Sequence, residues 1–518
     1  MAEKVRDLRS ALALLEQMPD QLIETEVEVD PMAELAGVYR YVGAGGTVKR
    51  PTKEGPAMIF NRIKGHPDAR VAIGLLASRK RVAALLDTQP ENLGKMLCKS
   101  VENPIPPVDL EGDAPCQQVV HKAADPDFDL YKLVPAPTNT PDDAGPYITL
   151  GMCYATHPDT GVHDVTIHRL CIQGKDELSI FFTPGARHIG AMAERAEELG
   201  QRLPISISIG VDPAIEIGSC FEPPTTPLGY DELSVAGALR KEPVKLCKCL
   251  TVNERAIANA EYVIEGEVIP GVRVKEDQNS NTGYAMPEFP GYTGPASNQC
   301  WLIKVTAVTH RENPIMQTCI GPSEEHVSMA GIPTEASILS MLEKAYPGKV
   351  KNVYCASPGG GKYIAAYVVS DGQVDINKLN DFIKETKPPY MVPAVTMQID
   401  KIPLNQNQKV NKKALPLPER KVEEIVKPEN ETQQKLFDCI AEVLGYTEFG
   451  ITTDIYEAGL TSITAIKLNI LISKAFDIVI KTSDIKDHPT IQMLESFVKT
   501  AGKETKREIQ ENYPLTNT

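Results

Sequence analysis

The sequence predicts a multidomain chain of α/β and α+β class: an N-terminal α/β domain, a central β-barrel and a C-terminal helical bundle. Three observations predict it. Val5, Leu8, Leu12 and Leu15 recur at helical spacing ahead of a short apolar run, ARVAIGLLAS, at 69–78. Strand-like runs separated by proline and glycine turns then fill residues 116–330: YITLGMCYAT, VTIHRLCIQ, LSIFFT, ISISIGV, AEYVIEGEVI and LIKVTAV. Residues 431–500 return to helical period.

Each element follows from its residues. Over 1–115 the opening segment is an amphipathic helix and 69–78 a buried strand, which together read as α/β. In 116–330 one helical stretch, HIGAMAERAEELGQ (188–201), interrupts the strands. A composition shift near 363–370 brings more lysine and asparagine, and KVEEIVKPEN (421–430) reads as a linker. ETQQKLFDCIAEVLG, SITAIKLNILISKAF and TIQMLESFVKTAG supply three helices of a bundle, and 501–518 is polar enough to be disordered. No internal repeat is visible.

Composition narrows function. A chain of 518 residues suits three to five domains, and 42% hydrophobic with 24% charged residues builds real cores. A net charge of −15 argues against nucleic-acid binding, which needs a basic stripe. No apolar run reaches membrane-spanning length, and the charged, helical start is unlike a signal peptide, so a cytoplasmic protein is expected. Of eleven cysteines only Cys247 and Cys249 sit close; two thiols without a second pair make a poor zinc site, and the cysteines read as reduced core residues. SPGGGKY (357–363) lacks the spacing of a phosphate loop and reads as a turn.

One strand stands out. In HDVTIHRLCIQ (163–173), Val165, Ile167 and Arg169 share one face, and Asp164, Thr166 and His168 the other. An arginine ending an apolar face is costly unless anionic groups pair with it. On the strand pattern alone, an edge strand whose arginine reaches solvent is the simpler reading.

Six stretches change that reading: DVTIHR, ARHIGAMAERAEELGQRLPISISIGVDPA, YDELSVAGALRKEPVKL, AEYVIEGEVIPGV, NTGYAMPEFPGYTG and GPSEEHVSMAGIPTEAS. In this order they resemble the UbiD-type decarboxylases, which use prenylated FMN (prFMN), nearest the branch acting on gallate-, protocatechuate- and 4-hydroxybenzoate-like acids. The resemblance runs from about residue 20 to 366. It implies a split β-barrel that binds the flavin through Asp164, Val165, Thr166, Ile167, His168, Arg169, Arg187, His188 and Glu232. It implies a divalent cation, usually Mn2+, on Asp164, His188 and Glu232, and a K+ near Ser219–Phe221. The family commonly has asparagine where this chain has Asp164, which adds a negative charge to that site. Arg169 would belong to a carboxylate–arginine–carboxylate network. The family's second motif glutamate has no acidic counterpart in MPEFPGYTG (286–294), so Glu288 is the expected acid–base residue, with Glu276 and Asp277 as alternatives if their loop folds back. The implied activity is non-oxidative decarboxylation of an aromatic or unsaturated acid, with a flavin prenyltransferase supplying the cofactor and a homo-oligomer as the assembly.

Beyond about 366 the resemblance changes. AAYVVSDGQVDINKLNDFIKETKPPYMVPAVTMQIDKIPLNQNQKVNKKALPLPE is similar to the small C-terminal subdomain of adenylate-forming enzymes in nonribosomal peptide synthetases, with Lys409 matching its acyl-adenylate lysine. Gln408 and Asn411 depart from that motif, and the large adenylation subdomain has no counterpart here. DIYEAGLTSITAIKL (454–468) resembles the attachment motif of acyl and peptidyl carrier domains. Ser462 would carry 4′-phosphopantetheine, installed by a phosphopantetheinyl transferase. The implied divisions are 1–115, 116–330, a truncated start of the decarboxylase C-terminal domain at 331–366, the adenylation-like fragment at 367–420, the linker, and the carrier. Three expectations follow from the seam: residues 331–366 pack poorly and decarboxylation is weak even with cofactor bound; the truncated C-terminal domain puts the homo-oligomer in doubt; and the rival function is a carrier module on an inactive decarboxylase scaffold.

Overall fold

The fold, taken from a computed structural model, grows from a closed barrel. The structure describes residues 4–43, 54–182, 188–221, 225–288, 293–321, 323–345, 347–348, 350–355, 364–370, 372–376, 378–379, 381–382, 393–402, 426–444, 449–453, 455, 462–476, 478, 480, 484–485 and 488–500. Residues 1–416 form one unit and 417–518 a second. No helix among the described residues is long and apolar enough to cross a membrane.

The first helix, Leu8–Glu16, begins at Asp7, whose carboxylate accepts from Ser10 N at 2.9 Å while Ser10 Oγ accepts from Asp7 N at 3.1 Å. This reciprocal box satisfies donors that a helix start leaves open. Leu8, Ala11, Leu12 and Leu15 are buried as the spacing requires. The 69–78 run is buried except for the half-buried Arg70, but only Arg70–Ile73 is strand, because Gly74 turns the chain at φ +82°. That strand lies in a sheet ordered Leu22–Thr25, Ala57–Phe60, Arg70–Ile73, Ile315–Thr318. The last strand comes from far along the chain and pairs parallel to Arg70–Ile73.

Six antiparallel strands close the barrel: Tyr262–Val274, Leu203–Ile209, Tyr147–Thr156, His163–Gly174, Glu177–Ile180 and Cys300–His310, which pairs back onto Tyr262–Val274. Closure leaves His163–Gly174 no free edge. The edge-strand reading of this segment is therefore wrong: both its faces are largely buried, and Arg169 finds carboxylates rather than bulk water. Val119–Lys122 extends the sheet outside the ring, against Cys300–His310.

All eleven cysteines are free. Cys247 lies buried on a short strand, Lys245–Lys248, with its Sγ 3.5 Å from Cys116 Sγ.

The seam also departs from expectation. Ile338, Leu342, Val350 and Val353 are buried rather than exposed. They share one apolar cluster with Val368, Val374 and Leu379, which lie beyond the change of resemblance. Strand Ile364–Ser370 spans the junction, pairing antiparallel with Val350–Cys355 and parallel with Pro393–Gln398. Glu335, on helix Glu324–Ala345, holds Arg79 at 2.6 Å and accepts from Cys355 N at 2.9 Å. The described residues between 331 and 355 therefore do not pack poorly, because Val368, Val374 and Leu379 downstream join their apolar cluster.

In the second unit, helices Glu431–Leu444, Ser462–Phe476 and Ile491–Thr500 surround Leu436, Ile440, Ile451, Leu468, Ile472 and Leu494. Glu495 ties the first and last together, accepting from Gln433 Nε2 at 2.6 Å and Asn430 Nδ2 at 2.9 Å.

Candidate active site

Arg169 is the centre of one cluster. Its Nε and Nη2 donate to the two oxygens of Glu276, at 3.1 and 3.2 Å, and its Nη1 donates to Glu288 Oε1 at 2.6 Å. The forked contact fixes the plane of the guanidinium, which lysine could not do. Glu276 is itself held. It is 2% exposed, and it accepts from Tyr147 Oη at 3.1 Å and Ser297 N at 3.0 Å. Its backbone carbonyl accepts from Gln173 Nε2 at 2.7 Å. These contacts hold the Glu276 carboxylate in place against Arg169.

Glu288 differs. Among the described residues Arg169 is its hydrogen-bond donor, and Glu288 is half-buried just past strand Tyr284–Pro287. Burial pushes its carboxyl above the ordinary glutamate range; Arg169 pulls it down, and the Glu276 charge pushes it up again. Burial opposes the charge on Arg169, but Glu276 and Glu288 outweigh it and hold the guanidinium above its usual range. The two carboxyls on one arginine thus sit differently: Glu276 is buried in a web of donors, and Glu288 is tied to Arg169 with its pKa raised by burial.

The backbone behind Glu288 is braced. A Cβ on Gly321 would stand 2.6 Å from the Glu288 carbonyl carbon, so only glycine allows this approach. Arg40, 7% exposed, donates to Gly321 O at 2.7 Å.

The second cluster lies five residues back along the same strand, roughly 16 Å at strand rise. Ligand atoms of Asp164, His188 and Glu232 all fall within 4.8 Å of one another. His188 Nδ1 is 3.0 Å from Asp164 Oδ1. His188 and Glu232 each begin a helix, His188–Glu198 and Glu232–Arg240, while Asp164 sits near the start of its strand. Three elements thus converge their ends. Glu232 is 4% exposed, its Oε2 has no hydrogen-bond partner, and burial, with the Asp164 charge adding to it, pushes its carboxyl up to about 9. Two buried carboxylates with an orphaned oxygen want a cation, and the donor set of two oxygens and an imidazole suits a hard-to-borderline divalent ion. The residues fit a metal.

Between the clusters Val165 and Thr166 are buried, and Thr166 Oγ1 has no hydrogen-bond partner. Ile167 is partly buried, and His168 meets Phe182 edge-on at 5.1 Å. Ser219 Oγ donates to Ile215 O at 2.8 Å at the end of a short helix, and Phe221 is buried. Of the alternatives to Glu288, Glu276 does fold back onto Arg169, whereas Asp277 turns to Gly283 N at 2.8 Å and Lys275 at 3.3 Å. Arg187 and Lys409 lie outside the described residues. Ser462 is the first residue of helix Ser462–Phe476.

Sequence reasoning missed the supports. Tyr147, Gln173 and Ser297 are 129, 103 and 21 residues from Glu276, and no local pattern links them. His163, whose Nε2 is 3.0 Å from Asp231 Oδ2, was equally silent.

Comparison with known proteins gives the family. Residues 12–101 match the family profile of the 3-octaprenyl-4-hydroxybenzoate carboxy-lyase N-terminal domain, and 109–324 that of the Rift-related domain of the same carboxy-lyase. Residues 434–498 match a phosphopantetheine attachment site. The chain is 56% identical over 377 residues to a gallate decarboxylase of Lactiplantibacillus plantarum, covering 72% of this chain and 77% of the relative. It is 31% identical over 359 residues to a phenolic acid decarboxylase of Bacillus subtilis, covering 67% and 70%. Among solved structures, the apo 3,4-dihydroxybenzoic acid decarboxylase of Enterobacter cloacae superposes with a TM-score of 0.70 at 53% identity, over 74% of this chain and 80% of that one. A UbiD-class enzyme from Pelotomaculum thermopropionicum, in complex with prFMN, superposes with a TM-score of 0.64 at 36% identity, over 74% and 84%.

Proposed function

The chain belongs to the UbiD family of carboxy-lyases, and from that premise we propose that it removes carbon dioxide from a hydroxybenzoate of the gallate or 3,4-dihydroxybenzoate kind, with Glu288 as proton donor. The observation that carries this reading is the split role of two carboxyls on Arg169: Glu276 buried and anchored, Glu288 held above the usual glutamate range. Decarboxylation exchanges a carboxylate for a proton on the same carbon, so the site must accept an anion and then deliver a proton.

The residues divide that work. Arg169 is positive and fixed, so an incoming carboxylate meets a charge already oriented toward it. Glu288 shares that guanidinium through a single 2.6 Å contact and is the acid of the pair. Tyr147, Ser297 and Gln173 keep Glu276, and through it Arg169, from moving.

Asp164, His188 and Glu232 would hold Mn2+, and the 219–221 turn K+, with the strand 164–169, Arg187, His188 and Glu232 around prFMN. When bound, prFMN supplies the electron sink for the carbon–carbon bond cleavage. The two clusters on one strand suit a ligand with a phosphate at one end and a reactive ring at the other. A flavin prenyltransferase would provide it. The adenylation-like fragment at 367–420 closes the seam and adenylates nothing on its own. The carrier domain takes phosphopantetheine on Ser462 from a phosphopantetheinyl transferase.

Coexpression of the full chain with a flavin prenyltransferase tests the reading. Purified protein should show the absorbance of a modified flavin and release carbon dioxide from gallate or 3,4-dihydroxybenzoate. Flavin bound without carbon dioxide release from any hydroxybenzoate would favour the inactive-scaffold reading instead.

A further inference from the structure

His121 and His310 face each other where the outer strand Val119–Lys122 meets the barrel strand Cys300–His310. In the register of this antiparallel pair, His121 stands opposite Val308 and His310 opposite Val119, so the two histidines are diagonal neighbours on one face. Their Nε2 atoms are 3.2 Å apart and their rings meet edge to edge, with centroids 5.3 Å apart and planes 21° from parallel. Both are half-buried, and Tyr262 backs His310 at 5.4 Å.

The proton positions are constrained. His310 Nδ1 lies 2.8 Å from the Arg311 carbonyl, which can only accept, so Nδ1 carries the hydrogen. Neutral His310 therefore presents a bare Nε2 lone pair to its partner. Burial and the neighbouring His121 both hold the His310 imidazolium below the usual range, which favours that neutral ring. A carbonyl on Nδ1 with a free Nε2 is the arrangement that orients metal-ligating histidines.

The distance agrees with such a use. Zinc–imidazole bonds of about 2.0–2.1 Å place two nitrogens about 3.3–3.4 Å apart on a tetrahedral ion and about 2.9 Å apart in a square arrangement. The observed separation falls between these values. We propose that His121 and His310 form a second divalent-metal site, taking a borderline ion such as Zn2+, Ni2+ or Cu2+ on two Nε2 atoms, with water in the remaining positions. The ion would clip the outer strand to the barrel. The site shares no residue with Asp164, His188 and Glu232.

The alternative is an N–H···N hydrogen bond between the rings with no metal, and the two separate experimentally. The full-length protein is stripped with a chelator, and Cu2+ is added below one equivalent and up to two. The expected spectrum by electron paramagnetic resonance shows a species with two equatorial nitrogens, since the acidic cluster offers only one. His188→Ala should retain that species; His121→Gln and His310→Gln should each lose it and bind one equivalent fewer. Ni2+ should raise the thermal midpoint of His188→Ala and leave that of His188→Ala/His121→Gln unchanged. Absence of the two-nitrogen species from the parent chain, or its survival in both histidine variants, would overturn the assignment.

Discussion

His163 Nε2 lies 3.0 Å from Asp231 Oδ2, and this contact joins the strand that carries Asp164 to the helix that begins with Glu232. Each partner immediately precedes a residue of the acidic cluster. Asp231 also caps its helix, accepting from Leu233 N at 2.9 Å. His163 stacks on Tyr154 at 5.2 Å, so its ring is fixed from a second side.

His163→Phe keeps the stack and removes the hydrogen bond. Loss of an outer partner of this kind typically costs about 10–100-fold in metal affinity. The expected result is that Mn2+ affinity, followed by calorimetry and by metal content after dialysis, falls by that factor while the fold, followed by circular dichroism, is kept. Unchanged affinity would separate the clamp from the metal.

Glu325 gives a pH signature. It is fully buried, accepts from Gly74 N at 3.0 Å and Leu76 N at 2.9 Å, and burial pushes it up to about 7. A carboxyl with a raised folded pKa binds its proton more tightly in the folded state. Its contribution to stability is full below the unfolded value and is lost as pH rises toward 7, by on the order of 3 kcal/mol. Glu216, pushed well up by burial, acts in the same direction. Urea denaturation at pH 5 and pH 7.5 should show the parent chain losing stability and Glu325→Gln losing less. Equal slopes would contradict the assignment.

The seam is tested by Leu342, which is fully buried against residues from both sides of the junction. Leu342→Ala should destabilise the first unit by about 2–5 kcal/mol, the cost of a cavity in a packed core. A loss below about 1 kcal/mol would mean that this region is loose.

Ser462 begins its helix, where backbone N–H groups suit a phosphodiester. Incubation with coenzyme A and a phosphopantetheinyl transferase should add one phosphopantetheine to the chain and none to Ser462→Ala. Decarboxylation should be equal in both, because a thioester would consume the carboxylate that must leave. Modification mapping to another residue would remove Ser462 from this role.

The parts legible in the sequence were those written locally. Leu8, Leu12 and Leu15 announced a helix face, and the alternating runs announced the barrel strands. Arg169 was legible as an anomaly, a charge at the end of an apolar face, although the strand pattern alone put it at a solvent edge. What it pairs with was legible only through the family resemblance, which offered Glu288, Glu276 and Asp277; no local pattern links Arg169 to Glu276, 107 residues away, or to Glu288, 119 away. Asp164, His188 and Glu232 had no motif of their own, since three element ends meet only after the barrel closes. The seam misled for a related reason. Burial of Leu342 and Val353 depends on Val368, Val374 and Leu379, whose resemblance to a different family gave no hint that they cover the helix upstream.

The central claim is that Glu288, held by Arg169, delivers the proton that replaces the departing carboxylate. Its most direct measurement is carbon dioxide release from gallate or 3,4-dihydroxybenzoate by the prFMN-loaded full chain, beside Glu288→Gln and Arg169→Ala. The account predicts that the parent chain turns over, with activity falling as pH rises through the raised pKa of Glu288. It predicts that Glu288→Gln retains the flavin and loses turnover. Arg169→Ala should lose turnover and also about 3–5 kcal/mol of stability, because Glu276 is left buried without its counter-charge. Turnover in Glu288→Gln equal to that of the parent chain, with the same flavin content, would contradict the account.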